Sequence, residues 1–217
     1  MRLNAGMPKA FAPLCGESLL AHALRGVFGC AQVQHVIIVA PVWHVGQCWA
    51  AADLLGEHSR VDVVAGGVDR SASVEAGLGA LRRDDGIVLV HDVARCLAPS
   101  DLFARVIGAV RDGHSAVVPG VAVTDTVKVV DERGRVLATP DRGTLRAAQT
   151  PQGFLREVLE LAHAHADRAS ATDDAALVER NGGHVSVVAG DHRALKITSP
   201  VDLTIATALI QDGLHAR

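Results

Sequence analysis

Unbroken apolar runs alternate with stripes of helical period along most of this chain. Val36-Ile37-Ile38-Val39-Ala40, stopped by Pro41, and Ile87-Val88-Leu89-Val90 read as strands buried on both faces, the kind found in parallel α/β sheets. Shorter strands are predicted at Val61–Ala65, Ser115–Pro119, Val185–Val188 and Leu195–Ile197. Between the first strands, Leu19-Leu20, Ala23-Leu24 and Val27-Phe28 recur at i, i+3/i+4 and predict a helix. Further helices are expected over Trp43–Leu55 and Ser71–Leu81, and from Ser100, with that serine as N-cap. Others are expected near Phe154–Ala166, near Asp174–Glu179 with Gly182-Gly183 as stop, and from Val201 onward. The alternation predicts an α/β fold with helices packed on one sheet.

One segment breaks the pattern. Thr126–Val130 and Arg135–Ala138 flank Asp131-Glu132-Arg133-Gly134, which is hairpin turn chemistry between β-branched runs. A hairpin inside a βαβ chain reads as a projecting arm, here about 122–142, on a single domain covering 1–217.

Composition narrows the function. The 217 residues are 49% hydrophobic but only 3% aromatic, so the core is Val, Ala and Leu, poor material for stacking nucleic-acid bases. A net charge of −3 gives no general polyanion bias, so phosphate binding has to come from local placement. Cys15, Cys30, Cys48 and Cys96 form no C-x-x-C pair and read as reduced thiols. With no long apolar run and no leader pattern, the expectation is a cytoplasmic protein with no nucleic-acid or membrane partner.

Polar clusters fall where this layout puts strand ends and loops. Arg2 stands with Pro8-Lys9; Gly66-Gly67 with Asp69, Arg70, Ser71 and Ser73; Asp92 with Arg95. Asp125-Thr126 and Lys128 precede Asp141-Arg142 and Gln149-Thr150-Pro151-Gln152; Thr172-Asp173-Asp174 and Lys196 come last. Each has a plainer reading: Arg2 and Lys9 as terminal charges, Gly66-Gly67 as a turn, Ser71 as an N-cap, Asp92 and Arg95 as a cap and surface ion pair. Lys196 resists one, because a lysine between Leu195 and Ile197 must snorkel or meet an anion. His91 reads as packing behind the site, and His163 and His165 point to different helix faces. Asp92 and Arg95 directly follow a strand, and ligands of open α/β sheets bind at the carboxyl ends of strands. Arg2, Lys9, Arg95, Arg142 and Lys196, with few acids near them, meet the demand of phosphoryl or nucleotidyl transfer, which is positioning plus neutralisation of charge on phosphorus.

In this order the clusters resemble the 2-C-methyl-D-erythritol 4-phosphate cytidylyltransferases. The matching segments are Arg2 to Lys9, G-G-x-x-R-x-x-S-V from Gly66 to Val74, L-V-H-D-x-A-R from Leu89 to Arg95, and D-T-V-K from Asp125 to Lys128. Asp141-Arg142, Q-T-P-Q-G-F from Gln149 to Phe154, T-D-D from Thr172 to Asp174 and L-K-I-T from Leu195 to Thr198 complete them. The resemblance implies a Rossmann-like nucleotidyltransferase fold and transfer of CMP from CTP to a polyol phosphate, with Mg2+ and release of pyrophosphate. It implies that Arg2 and Lys9 stabilise the transition state, and that Gly66, Gly67, Ser73 and the neighbourhood of Val93 line the cytidine pocket. Asp92, Arg95, Thr126, Arg142, Thr150 and Lys196 would hold the polyol phosphate, with Arg142 and Lys196 positioning it for attack. Asp92 would be the one protein group near Mg2+, held mostly by the triphosphate. The arm would reach into a partner's site in a homodimer.

The chain also departs from that pattern. Such proteins usually begin with a strand ending in a P-A-A-G-x-G-type loop that cradles the triphosphate, whereas Met1-Arg2 stand just past that point. A start codon placed too late is the preferred explanation, genuine loss the alternative, and either would leave the sheet short of an interior strand. Val68, Val93 and Cys96 stand where an acid, an alanine and a proline are usual. The rival readings are a ribitol 5-phosphate cytidylyltransferase and a catalytically silent homodimer.

Overall fold

A computed structural model describes residues 8–164 and 173–213. Arg2, Thr172 and the end of the helix expected to reach Ala166 lie outside them.

The chain opens with a 3-10 turn at Lys9–Phe11 and a small hairpin, β1 (Pro13–Leu14) with β2 (Glu17–Ser18), closed by Cys15 and Gly16 at positive φ. Ser18 then caps α1 (Leu19–Phe28), its hydroxyl accepting from the Ala21 amide. β3 (Val36–Ala40) leads through α2 (Val45–Leu54) to β4 (Val61–Ala65), and the two strands pair in parallel, Val36 opposite Val61. α3 (Arg70–Leu78) is capped by Asp69, whose carboxylate accepts from Ala72. Ser71, the expected cap, is therefore inside the helix.

β5 (Ile87–Val90), α4 (Ser100–Arg111), β6 (Ala116–Ala122), β9 (Arg146–Ala148), β10 (Gln152–Leu155), α5 (Arg156–Ala164), α6 (Asp174–Arg180) and β11 (Ser186–Ala189) build the larger sheet and its cover. Its order is β11-β6-β10-β5, with β9 also on β6. β11 runs parallel to β6, whereas β10 is antiparallel to both β6 and β5. This corrects two expectations. β5 is not a strand of a purely parallel sheet, and Phe154 belongs to β10 rather than to a helix. Ser100 is the first residue of α4 rather than its cap, which falls on Pro99 without a side-chain bond.

The two faces of the sheet follow from strand alternation. Val117 packs with Val106 and Val110 of α4, while its neighbours Ala116 and Val118 pack with Leu159 and Ala162 of α5 and Leu177 and Val178 of α6. α4 also lies against Gly153, where a Cβ would stand 2.5 Å from a Val106 methyl, so no larger residue fits. The fold is an α/β arrangement on mixed sheets.

The sheet is divided. β3 and β4 form their own pair, and among the described residues neither β3 nor β5 has a second strand partner. Between them lies a cavity of about 580 Å³, walled by Val36–Val39, Ile87–Val90 and α3. Each residue of Ile87–Val90 is consequently half-buried, not buried on both faces.

The arm is shorter than the sequence predicts. Only Val129–Val130 (β7) and Val136–Ala138 (β8) pair, with one another, and every residue of the two strands is exposed. No strand forms at Leu195–Ile197; a 3-10 turn at His192–Ala194 precedes irregular backbone there. α7 (Pro200–Gln211) follows, with a capping box between Ser199 and Asp202.

Candidate active site

Several segments converge at the carboxyl end of β5. Two residues past the strand a side chain takes over: the Asp92 amide donates to Oγ1 of Thr150 at 3.0 Å. That hydroxyl also contacts Nδ1 of His91 at 3.0 Å. Thr150 is 5% exposed, so it fixes Asp92 from behind. His91 packs half-buried against Phe103, and desolvation pushes its pKa down to about 4, leaving a neutral ring at physiological pH. It packs behind the site, as its sequence position suggested.

Asp92 meets Lys196 with its Oδ2 at 2.8 Å from Nζ. Burial acts to raise the Asp92 pKa, but the bond and charge of Lys196, followed by Arg70, hold it below the usual carboxylate value. Lys196, whose sequence setting demanded an anion, has found one. The adjoining backbone is held by side chains: Lys9 Nζ donates to the Ile197 carbonyl at 2.7 Å, and Arg95 Nη1 to the Ala194 carbonyl at 2.7 Å. Arg95 Nη2 reaches across to the Ala148 carbonyl at 3.0 Å. The guanidinium thus clamps β9 to the Lys196 segment, and burial lowers its pKa more than nearby Asp92 raises it.

The glycine-rich turn lies beside this cluster. Gly66 donates to the last carbonyl of β3, Ala40, at 2.9 Å, and Gly67 donates to Ser73 Oγ at 3.2 Å. Ser73 itself donates to the Asp69 carbonyl at 2.7 Å. A Cβ on Gly67 would stand 2.3 Å from the Ala72 side chain, so this close approach requires glycine. Arg70, between turn and serine, brings Nε to 4.0 Å from Asp92 Oδ1, joining the two halves of the site. Val93 packs between the cluster around Leu19 and Ile197 and that around Ile38. Val68 is fully exposed, whereas Cys96 is buried and its thiol is pushed up to about 12.

Lys9, Asp92, Arg95, Thr150 and Lys196 are therefore brought together, and Gly66, Gly67 and Ser73 are tied to them through Arg70. Thr126 and Arg142 are not. Both are exposed; Arg142 donates to the Thr124 carbonyl at 2.9 Å across the foot of the arm. Among the described residues it has no bond to Asp92, Arg95 or Lys196.

Arg70, outside the cation set read from the sequence, is paired with a buried acid. Arg70 Nη2 bonds the wholly buried Asp174 at 2.6 Å, and Asp174 Oδ1 lies 2.9 Å from His163 Nε2. Gln152 donates to Asp173 at 2.8 Å and accepts from the Ala175 amide at 3.1 Å, so the T-P-Q-G-F and T-D-D segments meet. Sequence reasoning gave these residues no role. One signal was available: Asp173 and Asp174 open a helix together, and only one of them can cap it.

The 2-C-methyl-D-erythritol 4-phosphate cytidylyltransferase (IspD) family model matches residues 1–212. The protein of that name from Rhodococcus opacus is 46% identical over 99% of this chain and 92% of its own length. A bifunctional IspD/IspF enzyme from Clavibacter michiganensis is 49% identical over 96% of the chain, which spans about half (51%) of that longer protein. Among solved structures, 4-diphosphocytidyl-2C-methyl-D-erythritol synthase from Anaerococcus prevotii superposes with a TM-score of 0.87 at 28% identity, covering 96% of this chain and 92% of that one. With motifs in order, matching length and a common fold, the chain belongs to the 2-C-methyl-D-erythritol 4-phosphate cytidylyltransferase family.

Proposed function

We propose that this protein transfers CMP from CTP to 2-C-methyl-D-erythritol 4-phosphate, forming 4-diphosphocytidyl-2-C-methyl-D-erythritol and pyrophosphate in isoprenoid precursor synthesis. The observation that carries this reading is the convergence of Lys9, Arg95 and Lys196 with Asp92 beyond β5, within the family match. An oxygen of the polyol phosphate attacks the α-phosphorus of CTP, and the bond to the β-phosphate oxygen breaks as pyrophosphate leaves. Two anions must approach, so fixed cations lower the barrier more than acid–base chemistry would. Lys9, with Arg2, stabilises charge on the α-phosphate. Gly66, Gly67, Ser73 and Val93 line the nucleotide side, with Gly67 allowing the backbone to come close.

Asp92, Arg95, Thr150 and Lys196 form the polyol-phosphate side, Thr150 acting by fixing Asp92. Thr126 and Arg142 complete it from a second subunit. In support, the arm exposes Val130 and Leu137 at 52% and 66%, apolar surface that a homodimer would cover. Mg2+, when bound, neutralises phosphate charge. Among the described residues no cluster of acids, histidines or cysteines forms a metal cage, and Asp92 is a single carboxylate facing cations. It fits as the one protein oxygen beside a metal held mainly by phosphates.

The reading takes the protein to act in the cytoplasm; among the described residues no helix is long and apolar enough to cross a membrane. Pyrophosphate release from CTP tests the reading, with methylerythritol phosphate and ribitol 5-phosphate compared side by side. Release with the first and at least tenfold less with the second is expected; equal turnover, or none with either, overturns it.

A further inference from the structure

We infer that Asp174, which touches no part of the cluster around Asp92 and Lys196, is a positioning residue for the polyol-phosphate site and acts by restraining Arg70. The inference rests on the reading of Asp92 as part of that site. Asp174 is 0% exposed, and it does not cap α6: Asp173 does so, accepting from the Ala176 amide at 2.9 Å. A buried carboxylate is costly unless fully paired. Burial raises the Asp174 pKa, and its bonds to His163 and Arg70 more than offset this, keeping it ionised. Its oxygens are divided between the two, His163 at 2.9 Å and Arg70 at 2.6 Å. The imidazole, itself buried with Glu75 4.0 Å from its other nitrogen, fixes the carboxylate so that the second oxygen aims at Arg70.

Arg70 is the group that benefits. It is the first residue of α3, exposed, and it lines the cavity with Ser73 and Asp92. Its strong bond is to Asp174, while its Nε stands 4.0 Å from Asp92 Oδ1, too far for a hydrogen bond. The other Asp92 oxygen is taken by Lys196 at 2.8 Å. Asp92 therefore has one oxygen engaged and one facing a guanidinium held just out of reach. Released from Asp174, that guanidinium would close on Asp92 as a fork. Oδ1 would then be lost to a substrate hydroxyl, and the balance between Asp92 and Lys196 would shift. Asp174 keeps the carboxylate open.

The test combines Asp174→Asn and Arg70→Gln, singly and together. Asp174→Asn is expected to raise the polyol-phosphate KM about tenfold and leave the CTP KM within about twofold. In the Arg70→Gln background no guanidinium remains to close, so adding Asp174→Asn is expected to cost less than about twofold. The same tenfold loss in both backgrounds, or equal rises in both KM values, would show a merely structural role and overturn the inference. If Asp174→Asn fails to fold, Arg70→Lys probes the link from its exposed end. An ammonium is free to settle on Asp92, so the polyol KM should rise selectively, and no change refutes the restraint. A readout independent of turnover is NMR of arginine-labelled protein. Wild type should show slowed rotation of the Arg70 guanidinium, and Asp174→Asn an averaged signal. Averaging in wild type overturns the inference, whereas absence of turnover with every polyol phosphate in an enzyme that holds Arg70 overturns only the functional reading.

Discussion

At the scale of single residues, Lys9 separates chemistry from substrate holding. Its ammonium bonds the Ile197 carbonyl at 2.7 Å, one residue from Lys196, and on the proposed reading it acts on the transferred phosphate. Its charge is worth most when a fifth oxygen crowds the α-phosphorus. Lys9→Ala should lower kcat by about 10²-fold with little change in the polyol KM; steady-state kinetics decide, and an intact kcat removes Lys9 from that role. The role expected of Lys9 came from the family resemblance, whereas Asp92, Arg95 and Lys196 were legible as candidates from their places beside apolar runs. Their partners were not. That Thr150 is buried and spends its hydroxyl on the Asp92 amide, or that Asp174 reaches Arg70 across 104 positions, depends on tertiary packing that no local pattern encodes.

Among the elements, the sequence located most apolar strands and helices but not their directions or every boundary. An apolar run fixes burial, not polarity of pairing, so the antiparallel insertion of β10 between β5 and β6 was out of reach. The segment Leu195–Ile197 shows why pattern fails locally. The Ala194 and Ile197 carbonyls are satisfied by Arg95 and Lys9, and the Ile197 amide by the Ala94 carbonyl at 2.8 Å. Side chains and a loop replace a ladder there. What anchors this segment downstream is the head of α7. Asp202 accepts from the Thr198 amide at 2.8 Å and the Ser199 amide at 2.7 Å, and from both hydroxyls. These bonds, led by the Thr198 amide, hold its carboxyl down to about 2 from an ordinary 3.8. A lowered carboxylate pKa contributes stability that is complete above the ordinary value and lost as pH falls through the folded one. Asp202→Ala should therefore cost about 1 kcal/mol near neutral pH, the exposed setting limiting it, and the gap should close between about pH 4 and pH 2. Urea denaturation of both proteins across that range checks this; a gap independent of pH would mean that the charge is irrelevant to the cap.

For the whole molecule, the site is a meeting of units rather than a pocket within one. The β3–β4 pair brings the glycine turn, the five-stranded sheet brings Asp92 and Thr150, and the segment before α7 brings Lys196. Arg70 and Asp92 span the first two, and Lys9 ties the start of the chain to the third. The arm's strands are apolar and exposed, and among the described residues Arg142 bonds the Thr124 carbonyl at the arm's base. On the proposed reading, such an arginine reaches the chemistry only from a second subunit, so mixing inactive Lys9→Ala and Arg142→Ala subunits should restore activity to about a quarter of wild type. On the proposed reading, these units meet to serve one event, attack of a polyol-phosphate oxygen on the α-phosphorus of CTP.

The most direct test follows the oxygen itself. Methylerythritol phosphate carrying 18O in its phosphate is incubated with CTP and the enzyme, and products are read by 31P NMR and mass spectrometry. The account predicts that every label is retained in the CDP-linked product, one of them in the bridge between its phosphorus atoms, and that the pyrophosphate is unlabelled. Label in the pyrophosphate, or a CMP product with the polyol phosphate unchanged, would contradict it.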